Sequence, residues 1–206
     1  MGTAERRQRE AGERRRAILA AAQKVFWELG YARATMPQIA AEAELAPGTL
    51  YLYFPGKDAL YVELLVKGYA VLLEALQSAV RRGEGKPREV ASALIDAFFA
   101  FAREHPEYFN ILFFVIQREN SVSWEAGLAE DQLRRIKAGE AACKRVVVDM
   151  LERAGFSDAD HRAVSADAVW SMLAGVVFYF RPRDSFNSVS QQAKALLLSA
   201  VFGEWV

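Results

Sequence analysis

The stretch Ala34–Leu60, ATMPQIAAEAELAPGTLYLYFPGKDAL, decides the fold. Thr35 offers a side-chain oxygen that caps a helix. Pro37 follows in the first turn, where a missing N–H costs nothing. Ile39, Ala40 and Ala43 give that short helix one inward face. Leu45, Ala46 and Pro47 form the turn into a second short helix, Gly48–Phe54. Pro55-Gly56 stops it, and Lys57-Asp58 opens a longer helix to about Arg82. Tyr51, Tyr53 and Phe54 put three aromatics in four positions, and one helix cannot turn all three to one core. Leu50 and Phe54, four apart, are assigned inward, which sends Tyr51 and Tyr53 elsewhere.

Outward from this stretch the helical period continues, and no alternating strand pattern of useful length appears. Upstream, Ile18, Ala21, Ala22, Val25, Phe26 and Leu29 make the apolar face of a helix from about Glu10 to Leu29, closed by Gly30. Downstream, Arg82-Gly-Glu-Gly-Lys-Pro87 is the clearest break. Helices are predicted near Arg88–Glu104, Pro106–Arg118, Trp124–Ala154, Asp160–Phe180 and Ser188–Phe202. The expected fold is all-α, with about nine helices. Residues 1–57 form a helix-turn-helix head, a connecting helix spans about 57 to 82, and 83–206 form a larger body.

The formal net charge is zero, so no whole-protein field draws a polyanion. Residues 1–57 nevertheless carry nine Arg and Lys against six Glu, so this part is +3 and the remainder −3. Cys143 is the single cysteine, so no disulfide forms within the chain; this fits a reducing cytoplasm and a small buried apolar role. The start is polar and shows no secretory leader. The apolar runs Ile111–Ile116 and Ala168–Phe180 fall short of the roughly 20 residues that span a bilayer, so no membrane partner is expected. The two histidines, His105 and His161, stand far apart in the chain. Neither metal-ligand spacing nor a P-loop nor a nucleophile elbow appears. An enzyme, a cofactor and a metal are therefore not expected, and His105 before Pro106 is read as closing a helix.

A helix-turn-helix needs one helix braced across the DNA backbone and a second entering the major groove. Pro47, Gly48 and Thr49 lead the entering helix. Gly48 permits close backbone approach, and the Thr49 hydroxyl and methyl suit a phosphate, a base edge or a thymine methyl. Tyr51 and Tyr53 can donate to phosphate oxygens, Thr35 lies at the start of the bracing helix, and Lys57 adds charge. The sequence from Arg16 to Leu65 resembles the TetR family of transcriptional regulators. The match rests on Arg16, Ile18, Leu19, Ala22, Phe26, Gly30, Tyr31, Thr35, Ile39, Ala40, Ala43 and the signature Gly48-Thr49-Leu50-Tyr51-x-Tyr53-Phe54, followed by Lys57 and Leu60. The resemblance implies a homodimer with DNA-binding heads on a pseudo-palindromic double-stranded operator. It also implies a body that holds a small-molecule effector, whose binding parts the heads and ends repression. Three departures stand out: Glu44 where the family usually has Gly, Ala46 where it usually has Ser, and Leu52 where it often has a polar residue. A strained turn and a missing helix cap follow from the first two.

The body has no comparable signature. Phe98, Phe99, Phe101, Tyr108, Phe109, Phe113 and Phe114 crowd two helices, and Trp170, Phe178, Tyr179 and Phe180 a later one. Most are core. Phe98, Phe101, Phe109, Phe113, Trp170 and Phe178 are the candidates to line a lipophilic pocket. No basic cluster suits a large anion, although Arg103, His105 or Arg118 could meet one negative group. The last two helices are candidates for self-association through Trp170, Ala174, Leu196, Ser199 and Phe202, in a stripe that also includes Ala166, Val169, Leu173, Val177 and Phe178. Few cations face DNA, so a modest salt dependence is expected. A helical carrier protein without DNA function would account for the aromatic body but not for the outward tyrosines.

Overall fold

The computed structural model describes residues 3–83, 85–115 and 128–203; for residues 3, 4, 114 and 115 only the backbone is described. Among these residues there are nine α-helices and no strand. They are α1 (Thr3–Leu29), α2 (Met36–Glu42), α3 (Pro47–Tyr53), α4 (Lys57–Arg82), α5 (Pro87–Glu104), α6 (Pro106–Asn110), α7 (Glu130–Arg153), α8 (Ala159–Phe180) and α9 (Phe186–Phe202). A turn of π-helix, Ile111–Val115, continues from α6. The first helix starts seven residues before its predicted beginning at Glu10. The predicted ends at Arg118 and Trp124, and the Phe114 side chain, lie outside the described residues. Two compact units result: Met1–Gly68 with Glu107–Ile136, and Tyr69–Pro106 with Lys137–Val206.

The first unit is built on the apolar face read from the sequence. Ile18, Ala22 and Phe26 of α1, Ile39 and Ala40 of α2, Leu50 of α3, and Leu60, Leu64 and Leu65 of α4 are buried together with Phe54. Phe26, Tyr31 and Tyr61 form an aromatic cluster with centroid separations of 5.7, 5.5 and 4.9 Å. Tyr61 Oη donates to the Ile111 carbonyl at 3.1 Å, which gives an acceptor at the start of the π-turn a buried partner. Thr35 caps α2, as the sequence suggests, and Gln38 completes a reciprocal capping box. His105 is the C-cap of α5.

In the second unit, Val90, Leu94 and Phe98 of α5, Val147 and Leu151 of α7, Leu173 and Val177 of α8, and Leu197 and Leu198 of α9 are buried. α7 passes so close to α4 that a Cβ on Gly139 would lie 2.9 Å from Tyr69 Cβ. Cys143 is fully buried and its thiol donates to the Tyr69 carbonyl at 3.5 Å. Burial, with a smaller contribution from Glu140, pushes the thiol pKa up to about 12. It stays protonated at neutral pH and packs as a small apolar side chain.

Glu44 is the only non-glycine residue with positive φ among the described residues, at 54°. It sits in the turn between α2 and α3 with its side chain exposed. The left-handed region costs a residue with a Cβ roughly 1–2 kcal/mol. Glycine removes that cost but brings more unfolded-chain entropy. Glu44→Gly is therefore expected to raise unfolding stability by about 0.5–1 kcal/mol in a urea titration; no gain would show that the turn is unstrained.

Candidate nucleic-acid interface

The helix pair α2–α3 sets the geometry of the exposed surface. Ala46 is the N-cap of α3 and makes no side-chain cap, while Pro47 fills the first turn. Leu50 and Phe54 anchor the helix: both are buried, and the Arg15 guanidinium lies 4.3 Å from the Phe54 ring centroid. Arg15 also donates to the Tyr53 carbonyl at 3.4 Å and pairs with Glu63 at 3.3 Å. With that side of the helix fixed inward, Pro47, Gly48, Tyr51 and Leu52 face solvent, and Thr49 and Tyr53 are half-buried at the margin. Tyr51 is 51% exposed and Leu52 84%. Sequence reasoning noted Leu52 only as a departure from a family pattern. Its outward position follows from helical spacing once Leu50 and Phe54 are placed inside.

Gly48 has an ordinary φ, and a Cβ there would meet nothing within 4 Å. The fold itself does not require glycine at this position. Thr35 is exposed, but its hydroxyl works within the capping box, accepting from the Gln38 N–H and donating to Gln38 Oε1 at 2.8 Å. Lys57 is placed differently from the sequence expectation of a charge offered to the surface. Its ammonium donates to the carbonyls of Tyr31, Ala32 and Ala34 at 3.0, 3.3 and 3.4 Å and lies 4.4 Å from the Tyr31 ring centroid. An ammonium has three donors, and here all three are engaged. Lys57, with the Tyr31 hydroxyl donating to Asp58, pins the chain before α2 to the start of α4. It positions the head and is not a free cation.

Other head cations are similarly occupied. Lys24 pairs with Glu42 at 2.7 Å, and that hydrogen bond, followed by the Coulomb attraction, holds its pKa above the usual lysine value. Arg33 Nε donates to the Leu29 carbonyl at 2.9 Å. Lys24 and Arg33 are thus engaged within the head, while Arg7, Arg9, Arg14 and Arg16 of α1 are exposed.

Two recesses among the described residues of the second unit bear on ligand binding. One is an apolar cavity of about 30 Å³, near the volume of a single water, with Phe98, Met150, Trp170 and Leu173 in its lining. Phe98 and Trp170 meet edge to face at 5.3 Å. The other is an open cleft of about 320 Å³ lined by Gln77, Val80, Arg81, Val90, Val146, Asp149, Met150 and Arg153. Met150 lines both. The two arginines were not foreseen as a pair because they stand 72 positions apart on α4 and α7. Of the remaining aromatic candidates, Phe101 is buried against His105, with centroids 5.7 Å apart. Phe109 and Phe113 stack at 4.6 Å in the first unit. Phe178 is half-exposed and turned away from the cavity lining. Arg103 is exposed, and Arg118 lies outside the described residues.

Within the stripe read for self-association, Ala166, Leu173 and Val177 are buried inside their own unit. Trp170 lines the cavity, and Ala174, Ser199 and Phe202 are half-buried. The outward apolar surface is rotated from that stripe: Val164, Met172, Phe178 and Tyr179 on α8, with Leu196 on α9. α8 is 22 residues long and includes an 18-residue window of mean hydropathy 1.5, of which 17% is buried. By length and composition alone it is long and apolar enough to cross a membrane, because its 18-residue apolar window is longer than the Ala168–Phe180 run judged too short from the sequence. Among the described residues no group of three His, Cys, Asp or Glu gathers at one place.

Residues 18–64 match the family described as bacterial regulatory proteins, tetR family, and residues 91–193 match the family described as tetracyclin repressor-like, C-terminal domain. The chain is 31% identical over 151 residues to the HTH-type transcriptional activator FasR of Mycolicibacterium smegmatis, covering 73% of this chain and 64% of FasR. It is 24% identical to the HTH-type transcriptional repressor BepR of Brucella suis, covering 81% of this chain and 79% of the relative. The crystal structure of the transcriptional regulator FadR from Bacillus subtilis in complex with stearoyl-CoA shares the fold. Its TM-score is 0.70 at 16% identity, covering 89% of this chain and 97% of that one.

Proposed function

The chain belongs to the TetR family of bacterial regulatory proteins, and from that premise we propose that it binds a pseudo-palindromic DNA operator as a homodimer and is released by a small lipophilic effector. Residues 1–57 act as the head, α4 as the connection, and residues 83–206 as the effector and dimerisation body. The observation that carries this reading is the outward face of α3. Tyr51 and Leu52 stand in solvent, while Leu50 and Phe54 hold the helix from behind. Gly48 keeps an open backbone that the fold does not use.

Thr49, Tyr51 and Tyr53 supply hydroxyls for phosphates and base edges, and Pro47 and Gly48 supply close approach. Lys57 and Thr35 act one step back by fixing α2 and α4. α3 itself supplies no cation for phosphate, which supports a modest salt dependence.

The effector site we assign is the apolar cavity at Phe98 and Trp170, with the Arg81–Arg153 cleft beside Met150 taking a polar or anionic end. The cavity is too small to hold a ligand as it stands, so binding must favour an opened form. An effector lowers DNA affinity only through such a preference for one state. The relatives' names carry both signs of regulation. We assign repression, since a dimer seated on a promoter blocks it without needing a further partner.

Selection of duplexes from fragments of the source genome tests the reading. We expect enrichment of one inverted-repeat sequence, bound by two chains, with complex formation reduced when a long-chain acyl-CoA or a fatty acid is added. Failure to enrich any sequence would overturn the DNA-binding assignment. Enrichment without sensitivity to any lipophilic probe would overturn the effector assignment alone.

A further inference from the structure

α3 presents an unusually apolar surface for a helix that meets DNA. Leu52 is more exposed than any other large apolar side chain among the described residues. Pro47 and Gly48 are exposed beside it. The whole helix, PGTLYLY, contains no Arg, Lys, Asn, Gln, Asp or Glu. Bidentate recognition of guanine by Arg or Lys, of adenine by Asn or Gln, and acceptance from cytosine by a carboxylate are all unavailable to it. What remains is three hydroxyls and a block of hydrocarbon. In the major groove one base feature rewards hydrocarbon, the C5-methyl of thymine.

We propose that Leu52 reads a thymine methyl, so that each operator half-site carries a T·A pair under this side chain. The discrimination has two sides. A methyl against Leu52 removes apolar area from water on both partners. A C·G or G·C pair at the same place would press an amino group or the guanine acceptors against hydrocarbon and leave them unpaired. This inference rests on the DNA-binding reading of α3.

The test uses the full chain and duplexes selected from a randomised library. The best duplex is resynthesised with deoxyuridine replacing one thymidine at a time, at symmetric positions. Uracil keeps every hydrogen-bonding group of thymine and lacks only the methyl. One symmetric pair of replacements is expected to weaken binding about fourfold per methyl, roughly fifteenfold for both half-sites. Leu52→Ala should bind the thymine and uracil duplexes within about twofold of each other, and Leu52→Met should restore the preference. The side chain is exposed, so these variants keep the fold, and unchanged circular dichroism confirms it. If no thymine shows the effect, or Leu52→Ala keeps it, Leu52 does not read a methyl. If the library yields no enriched sequence at all, the underlying DNA-binding reading fails, and this inference with it.

Discussion

Phe54→Ala is expected to unfold the head, whereas Tyr51→Ala, three positions earlier, is expected to leave it folded but bound to DNA roughly thirtyfold more weakly. Phe54 is 1% exposed. Its ring lies under the Arg15 guanidinium, which itself bridges to Glu63 and the Tyr53 carbonyl. Truncation leaves a cavity at the point where α1, α3 and α4 meet, at a cost of about 3–5 kcal/mol. That is a large share of the 5–15 kcal/mol that holds a domain together. Tyr51 contributes little to this packing, so its truncation should change stability by no more than about 0.5 kcal/mol. It loses instead a hydrogen bond to the duplex in each half-site. At about 1 kcal/mol per bond, two heads lose about 2 kcal/mol, roughly thirtyfold in affinity. Thermal unfolding and mobility-shift titration on the two variants separate the effects. A Tyr51→Ala protein that binds its duplex normally would remove the tyrosine from the interface.

The head was legible in the sequence because its signals are local. Thr35, Pro37, Pro47 and the Pro55-Gly56 stop fix three helix boundaries through contacts a few residues long. The spacing of Leu50 and Phe54 then decides which way Tyr51 points. The role of Lys57 was not legible, because the carbonyls that hold it belong to Tyr31, Ala32 and Ala34, more than twenty residues away. Spacing alone marks a lysine as charge and cannot say where the charge is used. The body was harder for a related reason. α8 is apolar around most of its circumference, so periodicity could not tell the side that meets its own core from the side left outward. Ala166, Leu173 and Val177 went inward and Val164, Met172 and Tyr179 outward, a choice made by α5 and α9. Arg81 and Arg153 likewise become neighbours of one cleft only through tertiary packing.

That outward side of α8 gives the second large expected effect. Met172→Asp combined with Phe178→Asp should convert the protein from dimer to monomer. Both side chains are about half exposed, so carboxylates there are tolerated by the single chain and the fold should survive. In a dimer the same carboxylates would be taken out of water opposite their own copies, since a twofold interface brings like patches together. Desolvation and repulsion without a partner cost several kcal/mol. A loss of about 3 kcal/mol already raises the dissociation constant more than a hundredfold. Operator affinity should fall with it, because a lone head forfeits the effective concentration that its twin supplies, worth roughly 10²–10⁴. Sedimentation velocity reads the first consequence and a mobility shift the second. Leu173→Asp is the contrast: its position is buried in the chain's own core, so that variant should lose helix content outright. A doubly substituted protein that still sediments as a dimer would place the interface elsewhere. A wild-type chain that sediments as a monomer and binds lipid vesicles would assign the apolar length of α8 to a bilayer and not to its own copy.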